Sequence, residues 1–301
     1  PPGQRDLLTL PHPRPNPPKT PPAMTDSTID FLGLPALRLD NRDGDSVVVA
    51  LQGGQVLSWT CEGAERLFLS PRAMLDGQSA IRGGIPVCFP QFNMRGPLPK
   101  HGFARNLPWQ PEPASQANPD QLALVLRDSD TTRRIWPHAF SARLRVSLLP
   151  RRLRVELEVV NTGGEPWTFA AALHTYLRVD EIAEVGLEGL QGARRWDAVR
   201  DDRHVETEPV LRFSSEFDSV YAAAAKGVRL VQPSGDLNIT QSASFSETVV
   251  WNPGADLSAR LADMPDDGFR HMLCVEAARI DGPVLLGGGA QWSGWQELSL
   301  G

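Results

Sequence analysis

Residues Ala142 to Gly164 read A-R-L-R-V-S-L-L-P-R-R-L-R-V-E-L-E-V-V-N-T-G-G. From Arg152 to Val159 leucine and valine alternate with arginine and glutamate. A period of two puts every apolar side chain on one face of a strand and every charge on the other, the pattern of a half-buried strand with one wet side. Ala142 to Leu148 alternates in the same way, Pro150-Arg151 supplies a turn between the two runs, and Asn161-Thr162-Gly163-Gly164 closes the second. Two such strands joined by a short turn predict neighbours in an antiparallel sheet.

The rest of the chain repeats the theme. Ser46–Leu51 meets Gln55–Trp59 across Gly53-Gly54, a hairpin signal. Short strands are expected at Leu67–Leu69, Leu122–Leu126, Trp167–Leu173, Gly227–Val231, Leu237–Thr240, Thr248–Trp251, His271–Ile280 and Trp292–Leu300. Only Leu257–Met264 reads as helical, with Leu257, Leu261 and Met264 at helical spacing. Many strands, few short helices and frequent Gly/Pro turns predict an all-β protein, a large antiparallel β-sandwich. No repeat has a fixed period, and no shift in composition follows Met24, so residues 24–301 are expected to form a single domain. Residues 1–23 are Pro-rich and are expected to form an extended, disordered arm, with Met24 read as the natural start. They lack the basic start and apolar run of a secretory signal.

Composition narrows the function. The 301 residues carry a formal net charge of −6, which argues against nucleic acid as a partner. The three cysteines, Cys61, Cys88 and Cys274, lie far apart and form no Cys-x-x-Cys pair, which fits a reducing, cytoplasmic setting. No apolar run approaches the roughly 18 residues of a membrane-spanning helix, so no membrane partner is expected.

Against this acidic background one stretch concentrates cations. Ile81 to Trp109 reads I-R-G-G-I-P-V-C-F-P-Q-F-N-M-R-G-P-L-P-K-H-G-F-A-R-N-L-P-W. Its density of Pro and Gly forbids a helix and leaves little room for central strand. A long loop, ordered by Phe89, Phe92, Phe103 and Trp109, presents Arg82, Arg95, Lys100, His101 and Arg105. Two readings are open: an anion site, or a surface loop with solvated charges.

Elsewhere, His174 interrupts the apolar run at L-H-T-Y-L. It is either a proton carrier with a pKa near neutrality or a core histidine bonded to a carbonyl. Glu276 sits among apolar neighbours in M-L-C-V-E-A-A, where a carboxylate is costly unless paired or used. Its plainer reading is an ion pair with Arg279 or the outer face of an edge strand. Asp218 stands in F-D-S-V-Y, an acid in an aromatic stretch, and Trp251-Asn252-Pro253 is a strand end with a polar turn. The histidines show no H-x-H or H-E-x-x-H spacing, so no metal is expected, the one alternative being a site built from residues distant in the chain. Gly287-Gly288-Gly289 precedes a strand-like tail rather than the helix a nucleotide loop needs, and no G-x-S-x-G occurs.

Taken in order, R-G-G-I-P-V-C-F-P-Q-F, L-P-K-H-G-F-A-R-N, L-H-T-Y-L, V-V-W-N-P and C-V-E-A-A resemble the glucose-6-phosphate 1-epimerase (hexose-6-phosphate mutarotase) branch of the aldose 1-epimerases. The resemblance runs from about Leu51 to Leu300. It implies the galactose mutarotase-like supersandwich, no cofactor, and a small-molecule sugar phosphate as partner, with the protein a monomer or a weak homodimer. It implies that His174 is the general acid and Glu276 the general base, and that Arg82 and Arg105 contact the substrate, its phosphate above all. It also implies that Lys100 lines the site, that His101 faces the sugar, and that Asp218 contacts the substrate.

The implied reaction is ring opening and reclosure of a hexose 6-phosphate, which interconverts its α and β anomers. Two alternatives stay open: a sugar-phosphate-binding module without turnover, and a mutarotase of neutral aldoses. The sequence departs from the family pattern in three places: Ala277-Ala278 replaces Pro-Gly after the glutamate, Asn93 replaces Gly after Phe92, and Lys100 stands where Gln or Ala is frequent. The expected geometry places His174 and Glu276 on opposite sides of one pocket whose rim carries Arg82 and Arg105.

Overall fold

The computed structural model describes residues 28–113 and 118–301; the Pro-rich arm expected at residues 1–23 lies outside them. Three antiparallel sheets frame the described chain. The alternating stretch forms the strands Phe140–Leu149 and Arg152–Asn161, paired in register from Leu149↔Arg152 to Phe140↔Asn161. The turn is Pro150-Arg151, with Arg151 at φ 57.

Their inner face buries Leu144, Val146, Leu153, Val155 and Leu157. Their wet face carries a ladder of ion pairs: Arg143 to Glu158 at 2.9 Å, Arg145 to Glu158 at 2.7 Å, and Arg154 to Glu297 at 2.8 Å. Cross-strand charge pairs of this kind contribute roughly 0.2–1 kcal/mol each, so the apolar face carries most of the stability. These strands lie in a nine-stranded sheet, flanked by Gln291–Leu300 on one side and Gln121–Arg127 on the other.

A second sheet runs Asp202–Val205, Arg194–Asp197, Phe217–Ala222, Glu247–Asn252, Met272–Leu286, Trp167–Leu173 and Val87–Cys88, with Tyr176–Arg178 also pairing to Met272–Leu286. A third, five-stranded sheet runs from Ile29–Phe31 to Ala64–Glu65 and includes the expected hairpin of Ser46–Ala50 and Gln55–Cys61. One buried apolar cluster draws from all three: Leu144 and Val155 from the first, Phe169, Val275 and Ala277 from the second, Val47 and Trp59 from the third. The second sheet therefore turns one face to the core and leaves the other for the site.

Three expectations shift. Leu67–Leu69 forms isolated bridges to Leu177 and Gly83 rather than a strand. The helix expected at Leu257–Met264 lies earlier, at Gly254–Ser258, where the Asn252 side chain accepts the Gly254 N–H at 2.8 Å. Beyond it, Leu261 and Met264 close tight turns onto the carbonyls three residues back, because Pro265 stops a helix before it can propagate. A helix at Asp130–Ile135 was not expected; a reciprocal cap between Ser129 and Thr132 starts it.

Candidate active site

The strand Met272–Leu286 decides where the acid goes. Leu273, Val275 and Ala277 point into the core, so by the period of two Cys274, Glu276 and Ala278 point the other way. Register extends that face sideways. Val249 lies opposite Glu276, and Val220 lies opposite Val249. Trp251 lies opposite Cys274, and Asp218 lies opposite Trp251. On the other side Leu173 pairs with Ala277 and Tyr176 with Cys274, which sets His174 beside Glu276. Asp218, Trp251, Glu276, His174 and Tyr176 thus share one sheet face, brought from more than a hundred residues of chain.

The loop Ile81–Trp109 covers this face. Among the described residues its only regular pieces are Val87–Cys88 and a 3-10 turn at Ala104–Asn106. Aromatic packing anchors it. Phe89 is fully buried against Phe103, Trp136, Phe140 and Phe169, with centroids 5.4–6.4 Å apart. Gly102 allows a close approach: at φ +73 its backbone runs against Phe89, and a Cβ there would meet the Phe89 carbonyl oxygen at 2.2 Å. Just before it, His101 takes a left-handed φ of 65, and Asn93, at the family's glycine position, takes φ 47. Asparagine tolerates that region, so this departure leaves the loop tip intact. The Ala277-Ala278 departure is equally silent: the strand runs on through both residues with no turn after Glu276.

Between loop and sheet lies a cavity of about 290 Å³, lined among others by Arg82, Lys100, His101, Arg105, His174, Asp218 and Glu276. All seven residues singled out in the sequence meet there. Arg95, the remaining loop cation, instead pairs with Asp281 and lies over the Trp196 ring, 4.7 Å from its centroid. Sequence reading gave no site role to four neighbours: Tyr176 and Trp251, which it quoted within motifs, and Glu216 and Asp263, which it passed over. Tyr176 stacks on His174 with centroids 4.9 Å apart and planes 12° apart, and Trp251 meets the imidazole edge-on. Asp263 accepts from Arg82 Nε at 2.7 Å, while Arg82 Nη1 donates to the Tyr176 hydroxyl at 3.4 Å. The L-H-T-Y pattern carried a signal for Tyr176; nothing local marks Asp263.

His174 Nε2 lies 3.4 Å from Glu276 Oε1. The two groups stand side by side on the cavity floor, which corrects the expectation that they face each other across it. The plainer readings of both fail on geometry. The Nδ1 atom of His174 and the Oε2 atom of Glu276 are buried and have no hydrogen-bond partner. Arg279 donates to Ser246 Oγ rather than to Glu276.

Burial dominates the electrostatics. It drives the Glu276 carboxyl well above its ordinary range, with the Asp218 charge adding to the effect. Burial lowers His174 to about 3, helped by the positive charges of Arg105, Arg82 and Lys100. Asp218 rises to about 6, from burial first and then from Glu216. His101 is also held neutral, by burial and by its cationic neighbours. Its Nδ1 accepts the Asn93 N–H at 3.2 Å, which leaves the ring proton on Nε2 as a donor.

A histidine and a carboxyl whose burial disfavours the charged form of each, with a cluster of cations beside them, can hold an anionic molecule and move protons to and from it. No helix among the described residues is long and apolar enough to cross a membrane.

The chain is similar to known proteins over most of its length. The aldose 1-epimerase family pattern matches residues 35–299. A protein of Cenchrus ciliaris named "Putative glucose-6-phosphate 1-epimerase" is 37% identical over 263 residues, 83% of this chain and 80% of its own length. The crystal structure of "a putative mutarotase (YeaD)" from Salmonella typhimurium superposes with a TM-score of 0.80 at 30% identity, covering 89% of this chain and 90% of that one. A galactose mutarotase related enzyme from Lactobacillus acidophilus, at 16% identity and a TM-score of 0.71 over 88% of this chain and 97% of that one, shares the fold. The chain belongs to the aldose 1-epimerase family, a family of isomerases.

Proposed function

We propose that this protein interconverts the α and β anomers of a hexose 6-phosphate, with glucose 6-phosphate the foremost candidate, and that His174 and Glu276 carry the protons. The observation that carries the reading is the 3.4 Å contact between these two groups at the foot of a cavity roofed by three cations. Opening a hemiacetal requires a proton to leave the C1 hydroxyl and another to reach the ring oxygen. Both oxygens are bonded to the same carbon, so a base and an acid standing side by side can serve them together. Passing the Glu276 carboxyl proton to His174 across their 3.4 Å contact leaves a carboxylate base and an imidazolium acid; after rotation about the C1–C2 bond the transfers reverse and the ring closes on its other face. Nothing is oxidised or reduced.

The cations define the substrate. A phosphomonoester carries about −1.5 to −2 charges near neutral pH. The guanidinium forks of Arg82 and Arg105 match its oxygens, with Lys100 as a further point charge. Asp263 holds Arg82 in place from behind. Phosphate binding also acts on the acid. Arg105, Arg82 and Lys100 are among the charges that keep His174 unprotonated. An anion placed among them offsets that part of the depression, while burial, the larger cause, remains. The phosphate thereby eases protonation of the acid that works on the other end of the same molecule.

The cavity, at about 290 Å³, suits one small molecule. His101 Nε2–H and Asp218 supply a donor and an acceptor for sugar hydroxyls.

The test is a pair of isosteric variants. Glu276→Gln and His174→Asn should each slow anomer exchange of glucose 6-phosphate by about 10²–10⁴-fold, the usual worth of a positioned acid or base. Calorimetry should find its binding retained. Full exchange activity in either variant refutes the assignment.

A further inference from the structure

The sheet face that carries His174 and Glu276 also carries a thiol. Cys274 lies two residues before Glu276 on the same strand, opposite Tyr176 on one neighbour and Trp251 on the other. It is fully buried and unpaired by any disulfide. Ligand atoms of His174, Cys274 and Glu276 all lie within 4.8 Å of one another. Two buried atoms of this group, His174 Nδ1 and Glu276 Oε2, lack hydrogen-bond partners.

Imidazole nitrogen, thiolate sulfur and carboxylate oxygen form a donor set that suits zinc and its neighbours in softness. Zinc bonds are about 2.0–2.1 Å to nitrogen and about 2.3 Å to sulfur. Around a tetrahedral ion such bonds set ligand atoms roughly 3.3–3.6 Å apart. The His174–Glu276 separation of 3.4 Å already meets that spacing. Against the 4.8 Å limit the thiol needs to close by roughly 1.2–1.5 Å at most, a side-chain torsion's worth of movement. Three protein ligands leave a fourth position for the cavity side, the arrangement of an open zinc site.

We propose that His174, Cys274 and Glu276 form an inhibitory binding site for a soft divalent transition-metal ion, zinc foremost, which enters through the cavity and withdraws both proton carriers from use. Binding releases the Cys274 thiol proton and the Glu276 carboxyl proton to buffer. The loaded centre, one divalent cation with a thiolate and a carboxylate, then has no net charge. The neighbouring Arg82, Lys100 and Arg105 oppose the approach of the free cation, so the site favours ions that bind thiolate strongly over hard ions such as magnesium, which prefer oxygen ligands and keep their waters.

Cobalt(II) is the probe, because a thiolate–cobalt bond absorbs in the near ultraviolet and needs no enzyme activity to be seen. Titration of the metal-stripped full-length chain should raise that absorption to saturation at one cobalt per chain. Zinc should abolish it, and magnesium in large excess should not. The band should vanish in Cys274→Ser and persist in Cys88→Ser. The second variant is the necessary control, because Cys88 Sγ lies 3.3 Å from His101 Nδ1 and is the rival thiol.

In the anomer-exchange assay, zinc inhibition, referred to each variant's own uninhibited rate, should weaken on the order of tenfold or more in Cys274→Ser, since a hydroxyl is a far harder ligand than a thiolate. X-ray absorption at the zinc edge of the wild-type complex gives the same answer without any variant: one sulfur at about 2.3 Å with nitrogen and oxygen completing the shell. Absence of the cobalt band, its survival in Cys274→Ser, or a sulfur-free zinc shell overturns the proposal. Failure of anomer exchange alone leaves the optical and absorption results to decide it.

Discussion

Gly102→Ala tests whether the loop's approach to the sheet sets the site. The new methyl would stand 2.2 Å from the Phe89 carbonyl oxygen, 2.4 Å from its carbon and 2.8 Å from Pro90 N, all backbone atoms with no rotamer to escape into. Ordinary contact begins near 3.4 Å, so the two segments must part by about an ångström. The Phe89 carbonyl accepts from Phe103 N at 3.1 Å and Ala104 N at 3.2 Å, and both bonds stretch or break.

Two backbone hydrogen bonds are worth about 1 kcal/mol each. A left-handed φ costs an alanine at least about 1 kcal/mol. The sum, about 3 kcal/mol, lowers Tm by about 6 °C or more for a chain of this size. The functional cost is larger in proportion. Lys100 and His101 immediately precede Gly102, and a misplacement of about 1 Å can cost on the order of 10²-fold in rate.

Gly33→Ala is the matched control: its φ is +87, and nothing lies within 4 Å of the added Cβ. It should lose about 1 kcal/mol from backbone strain and keep its full exchange rate. Calorimetry and an NMR anomer-exchange assay read both effects. If Gly102→Ala behaves like Gly33→Ala, the close approach does not position the site.

Other consequences follow from charge and burial. In the unfolded chain Glu276 loses its proton near 4.5, whereas in the folded protein burial holds it well above that. Above pH 4.5 the unfolded state therefore sheds a proton that the folded state keeps, and stability falls as pH rises. Glutamine is neutral throughout, so Glu276→Gln should gain on the wild type as pH rises above 4.5; a gap in Tm that is flat with pH contradicts this. Arg105→Gln and Arg82→Gln each remove charge-assisted bonds worth about 1.5–3 kcal/mol. Both should weaken glucose 6-phosphate binding by roughly 10–100-fold in calorimetry while barely changing the affinity for free glucose.

Much of this architecture is legible in the chain because its strands are amphipathic. The alternation at Arg152–Val159 reports its own burial pattern, and the Gly/Pro density of Ile81–Trp109 marks it as ordered loop. The motif residues His174, Glu276, Arg82, Lys100, His101, Arg105 and Asp218 all line one cavity. Register and tertiary contact carry what was not legible. That His174 and Glu276 stand side by side follows from the Leu173↔Ala277 pairing, which no local pattern encodes. Asp263 reaches Arg82 across 181 residues of sequence. Cys274 reads as a small core residue until the strand's face is known. The helix at Asp130–Ile135 is too short for a hydrophobic period and depends on its cap.

One measurement bears most directly on the account: two-dimensional exchange NMR of the C1 signals of glucose 6-phosphate and of free glucose, side by side, with and without the protein. The account predicts faster α–β exchange than in buffer, with the phosphate ester accelerated more than the free sugar. Exchange of glucose 6-phosphate at the buffer rate contradicts the proton-transfer reading, and equal or greater acceleration of free glucose contradicts the role assigned to Arg82, Lys100 and Arg105.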